Sequence, residues 1–139
     1  MKTILAIIEK HGGIKALKEK HIKLIPKSQS LMPLVIEFIG EGPRNMEMIS
    51  VAHYYEQNGD LMADPELMFE IDGDGKILPV GYQQDNLGIY QVVVRKLENG
   101  SIAVNMKLQR DLNKFAEMWD KNIKEEGFLD LASENREGL

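Results

Sequence analysis

The interval spanning residues 31–107 most constrains the fold, because short apolar runs there are separated by clusters of turn-forming residues. Residues 31–39 are nearly continuously apolar, with Glu37 as the polar exception and Pro33 close to the beginning. That pattern predicts an edge strand or a strand start. Residues 40–45 supply a turn. Residues 46–56 then alternate Ile49, Val51, His53 and Tyr55 on one side with Ser50, Ala52 and Tyr54 on the other, the period of a strand. Residues 66–71 set Leu67, Phe69 and Ile71 on one face. Asp72-Gly73-Asp74-Gly75 is a turn, since glycine tolerates positive φ and aspartate bonds nearby backbone amides. Residues 77–82, 89–97 and 101–107 complete an antiparallel meander of about five to six strands, its last hairpin turning at Asn99-Gly100.

Helical patterns flank this sheet. Ile4, Leu5, Ile7 and Ile8 share one helical face, Gly12-Gly13 stops that helix, and a second short helical stretch surrounds Ile14, Leu17 and Ile22. Pro26 with Ser28, Gln29 and Ser30 reads as a linker. At the other end Leu108, Leu112, Phe115, Trp119 and Ile123 recur at steps of four, three, four and four. This stripe is core in one reading, with Trp119 against the sheet; in the other, Trp119 anchors a partner. Gly127 ends the helix and residues 133–139 form a polar, frayed tail. Helices at both ends of an antiparallel sheet indicate an α+β fold. The expectation is a single domain over residues 1–139: a basic helical opening (1–27), a sheet (31–107), an amphipathic helix (108–127) and the tail.

Composition narrows the function. The 139 residues suit one core of their own. No cysteine is present, which excludes disulfides, thiolate zinc sites, iron–sulfur clusters and cysteine nucleophiles and makes a cytoplasmic location the expectation. Glu9, Lys10 and His11 interrupt the opening apolar run too early for a signal peptide. No stretch approaches a membrane span. The net charge of −5 argues against nonspecific nucleic-acid binding, which depends on lysines and arginines. Charge is unevenly distributed: residues 56–85 hold eight acids against Lys76, a net −7, so the remainder sums to +2. Residues 1–27 carry seven lysines and two glutamates, either a solvated face or a docking patch for an acidic partner.

Residues with chemical potential are few. Of His11, His21 and His53, only His53 lies in an expected strand beside carboxylates. It is either a half-buried cross-strand histidine hydrogen-bonded to a tyrosine or carboxylate, or a base or ligand needing a second group. Asp60 and Asp64 would share one side of a helical turn and could hold a divalent cation; otherwise they are a turn-former and a cap before Pro65. Asp72-Gly73-Asp74-Gly75 resembles a calcium loop but fails at its fifth, sixth and twelfth positions, Lys76, Ile77 and Gln83. Phosphate-loop, dinucleotide and nucleophile-elbow patterns are missing. No cofactor is expected. The run Tyr82-Gln83-Gln84-Asp85-Asn86, with Tyr90, offers amides that donate and accept at once, suiting either a polar contact surface or an ordinary inter-strand loop.

The phrases ISVAHYYEQNGDLMADPELMFEI and GYQQDNLGIYQ resemble a small uncharacterised domain family of bacterial phages, plasmids and conjugative elements. Its signature residues occur here as His53, Tyr54, Gln57, Asn58, Gly59, Asp60, Asp64, Pro65, Tyr82, Gln84 and Asp85. The resemblance implies a non-catalytic accessory protein that binds a host protein, for example as an inhibitor of a CRISPR or restriction nuclease (an anti-CRISPR-like role). With Asp72 and Asp74 added for their charge, those side chains form the expected binding surface. The edge near residues 31–39 offers strand addition as another route. The alternatives are a metal-dependent hydrolase centred on His53, Asp60 and Asp64, or a simple assembly module.

Overall fold

The computed structural model describes residues 1–133; residues 134–139 of the expected frayed tail lie outside the described residues. Two short helices, α1 (Lys2–Lys10) and α2 (Gly13–Glu19), lead into β1 (Ile22–Leu24), β2 (Leu34–Glu41), β3 (Glu47–Gln57), β4 (Asp60–Ile71), β5 (Ile77–Gln84) and β6 (Ile89–Val92). A small hairpin of β7 (Val94–Lys96) and β8 (Ile102–Val104) precedes the long helix α3 (Met106–Glu125). The first six strands form one antiparallel sheet in chain order. The architecture is α+β. No helix among the described residues is long and apolar enough to cross a membrane.

The strand pairing explains which side is covered. Ile22, Ile36, Val51, Leu67 and Tyr82 are successive cross-strand partners. This row is apolar, and it packs with Ile4, Ile7, Leu17, Leu112, Trp119, Ile123 and Phe128 in one core. At a transfer value of about 25 cal/mol per Å² of apolar area, such burial drives the helices onto this face. One residue along each strand the side chains point the other way. There the row reads Lys23, Val35, Ala52, Glu66, Gln83 and Tyr90, and none of these side chains joins that core.

Turn chemistry fixes the register. Asn58 and Gly59 both have positive φ (54° and 85°) in the two-residue loop between β3 and β4, the hairpin turn whose twist matches that of the strands. Between β4 and β5, Gly75 N–H donates to Asp72 O while Asp72 N–H donates to Lys76 O. Asp72 Oδ1 accepts from the amides of Asp74 and Lys76 at 2.8 and 2.9 Å, so this aspartate is a turn-former.

Several boundaries differ from expectation. Ile22 is not helical: α2 ends at Glu19 and Ile22 opens β1. Because β1 pairs with β2, residues 34–41 are not an edge, and Pro33 stands just before the strand. Residues 60–65, expected as a turn with a helical possibility, are the first half of β4. The expected strand over 89–97 breaks at Val93, whose N–H still donates to Val80 O at 2.8 Å while its carbonyl accepts from Asn105; beyond it β7 belongs to the second sheet. The helical stripe of residues 108–123 does face the core. Ser133, expected to be frayed, is buried, and its Oγ accepts from the Lys23 amide at 3.2 Å.

Candidate functional site

Alternation along β2, β3 and β4 brings an acidic, tyrosine-containing group onto the uncovered face. Glu37 pairs with Ser50 and Ala52 with Glu66, while Tyr54 lies one pleat further along β3. Ser50 is fully buried, and its hydroxyl donates to Glu66 Oε2 at 2.6 Å. Burial holds the Glu66 carboxyl above its ordinary range, the Ser50 bond opposes this, and the nearby charges of Glu37 and Asp85 add to it. Burial together with Glu66, Glu37 and Asp85 pushes the Tyr54 phenol up to about 12. Among the described residues no lysine or arginine pairs with Glu66.

Beside this group a cleft of about 500 Å³ opens on the same face, with Lys23, Val35, Glu37, Tyr54, Glu56 and Leu61 in its walls. Its volume lies within the range of ligand pockets. Leu61 is largely exposed at 62%. Tyr54 and Leu61 supply apolar surface, and Glu37 and Glu56 supply charge.

Further along the face, Glu70 is completely buried and held in a two-pronged ion pair with Arg44 from the β2–β3 turn. The Arg44 Nε–H donates to Glu70 Oε1 at 3.1 Å and to Oε2 at 3.2 Å. The guanidinium neutralises an acid that would otherwise be costly to bury.

The sequence-singled residues separate. His53 points into the core, its ring 5.4 Å from Trp119 and 5.6 Å from Phe128. Its Nδ1–H donates to the Pro33 carbonyl at 3.2 Å, so its partner is backbone and neither a tyrosine nor a carboxylate. Burial holds its pKa below the ordinary histidine value. Asp60, Gln57 and Asn58 gather at the β3–β4 turn, whereas Asp72 and Asp74 sit beyond the opposite end of β4, roughly 35 Å away at about 3.3 Å per residue. The charged stretch is therefore not one patch. Asp60 and Asp64 are spaced along an extended strand, roughly 13 Å apart by the same rise. Among the described residues no three histidine, aspartate or glutamate side chains are placed to hold a metal ion.

The Tyr82-Gln83-Gln84-Asp85 run divides between the two faces. Tyr82 O–H donates to Gln84 Oε1 at 2.6 Å, and Gln84 Nε2 donates to Asp64 Oδ1 at 3.0 Å; Tyr82 also meets Phe115 edge-on. On the uncovered face Gln83 Nε2 donates to Asp85 Oδ1, and Asp85 Oδ2 accepts the Ala63 amide at 2.7 Å. Those two bonds hold the Asp85 carboxyl below its ordinary value. Both halves grip the irregularity where β4 slips against β3, between the Ala52–Glu66 and Tyr54–Ala63 pairs. Of the signature residues, Asp64, Tyr82, Gln84 and Asp85 thus secure a bulge, and Tyr54 and Asp85 also reach the acidic group. Sequence reasoning missed Glu37, Ser50, Glu66, Arg44 and Glu70; the strand alternation held the signal for the first three.

Residues 2–129 match the family described as a domain of unknown function, DUF6908. The chain belongs to the DUF6908 family. No match was found among curated proteins or among solved structures. The DUF6908 match takes in every strand, α3 and the cleft residues, so the uncovered face lies wholly within the family's domain.

Proposed function

We propose that this chain is a non-catalytic binding protein that receives another protein on the uncovered face of its six-stranded sheet. The observation that carries this reading is the one-sided sheet: helices cover one face, and the other holds the cleft beside Glu37, Tyr54 and Glu66. A face of this composition favours a partner segment that brings arginine or lysine to the carboxylates and apolar contact to Tyr54 and Leu61. The mobile-element setting and a host defence nuclease as target belong with this reading through the sequence resemblance, and the cytoplasmic location through the lack of cysteine. A nuclease lines its channel with basic side chains for phosphates, and an acidic face competes for them.

The test compares two variants of unchanged fold in a pull-down from bacterial lysate containing a CRISPR nuclease, washed at low and high salt. Glu37→Gln with Glu56→Gln alters the cleft; Asp72→Asn with Asp74→Asn alters the distant turn. The reading requires that one specific protein is captured at low salt, that the cleft variant loses it and that the turn variant keeps it. Equal capture by both variants, or loss only with the turn variant, would sink it.

A further inference from the structure

The two edges of the sheet are built differently. At β1 the outward amide of Lys23 is taken by Ser133 Oγ, the strand is three residues long, and it carries a lysine, all devices that blunt an edge. At β6 the sequence Ile89-Tyr90-Gln91-Val92 has no charge, proline or glycine, and among the described residues no strand lies beyond it. Tyr90 is 65% and Val92 37% exposed.

The register shows which groups face outward. Ile89 and Gln91 are partners of Gln84 and Tyr82, and Val93 N–H donates to Val80 O. Antiparallel ladders alternate bonded and non-bonded positions, so residues 89, 91 and 93 turn their backbone groups toward β5. Tyr90 and Val92 turn theirs away from the sheet. Their side chains stand on the uncovered face, in register with Gln83 and Gly81.

We propose that β6 pairs antiparallel with β6 of a second copy, about a two-fold axis through Gln91, to give one sheet continuous across both chains. In that register Tyr90 lies opposite Val92 of the other copy, and their N–H and C=O groups exchange hydrogen bonds on both sides of the axis. Each exposed tyrosine then covers an exposed valine, a favourable aromatic and β-branched pair. The two Gln91 amides meet at the axis, where each donates to and accepts from the other. The strand is uncharged, so self-pairing sets no like charges opposite one another despite the chain's net −5. The cleft lies toward β1 and stays open in such a dimer.

Sedimentation over about a hundredfold range of concentration tests this by mass action. The wild-type chain should pass from monomer to dimer, and Tyr90→Lys with Val92→Lys should move the midpoint at least about tenfold upward while circular dichroism stays the same. Amide exchange on the wild-type chain gives a second reading that needs no variant: the Tyr90 and Val92 amides should become protected as concentration rises. A chain that remains monomeric throughout, a dimer indifferent to the two lysines, or exchange at Tyr90 and Val92 independent of concentration would each overturn the proposal.

Discussion

Asp120, on the buried side of α3, accepts the backbone amide of Ile4 at 3.1 Å through Oδ1, and its Oδ2 accepts that of Thr3 at 3.0 Å. The first turn of α1 has no acidic residue and no capping side chain of its own. A carboxylate more than a hundred positions away in sequence therefore satisfies amides that a helix start leaves open, and its charge suits the positive end of the helix dipole. Asp120→Ala should lower unfolding free energy by about 2 kcal/mol, with Asp120→Asn losing less. Urea denaturation of both variants provides the comparison; equal losses would show that the carboxylate charge adds nothing.

Arg44 and Glu70 make a second prediction. Removing only the arginine strands a buried carboxylate, so Arg44→Met should cost about 3 kcal/mol. Arg44→Met with Glu70→Leu removes both charges and should recover most of that loss. The double-mutant cycle is read by chemical denaturation, and a double variant less stable than Arg44→Met would contradict it.

The third concerns pH. Because burial lowers the His53 pKa in the folded chain, the unfolded chain binds the extra proton between the folded value and about 6.5. Its contribution to stability is complete above about 6.5 and is lost as pH falls through the folded value. Denaturant midpoints measured from neutral to mildly acid pH should fall toward acid, and His53→Leu should flatten that dependence. An unchanged slope would assign the pH response to other groups.

Glu66 has the opposite sign. Its folded pKa lies above the ordinary glutamate value of 4.5, so the folded chain holds the proton longer and stability falls as pH rises from 4.5 through the folded value. Glu66→Gln should raise the melting temperature at neutral pH, and this advantage should shrink as pH drops below the carboxylate range. Thermal melts across that range decide the matter; a variant less stable than wild type at pH 7 would mean that the Ser50 bond outweighs burial.

The sheet was largely readable because its turns announce themselves. The glycine and aspartate run at 72–75, and the Asn99-Gly100 pair inside the β7–β8 hairpin, lie where a strand must reverse. Local chemistry misled at residues 60–65, where Asp60, Asp64 and Pro65 carry turn and cap preferences yet extend within β4 through pairing with β3. Three-residue β1 left no periodicity to read, and its existence depends on β2 and Ser133. Cross-strand register hid the candidate site. Glu37 and Glu66 look like isolated polar residues until three strands set them beside Tyr54. Arg44 and Glu70 meet only because a turn folds its side chain back across the sheet.

The division of Tyr82-Gln83-Gln84-Asp85 between two faces makes this short run intolerant of changes in length, whatever its tolerance of changes in composition. Deleting one residue there would exchange inside for outside at every later position of β5 and β6. The glutamine that reaches Asp64 and the aspartate that holds the Ala63 amide would both lose their partners. The run works as a two-sided key, and its spacing is as much a part of its information as its letters.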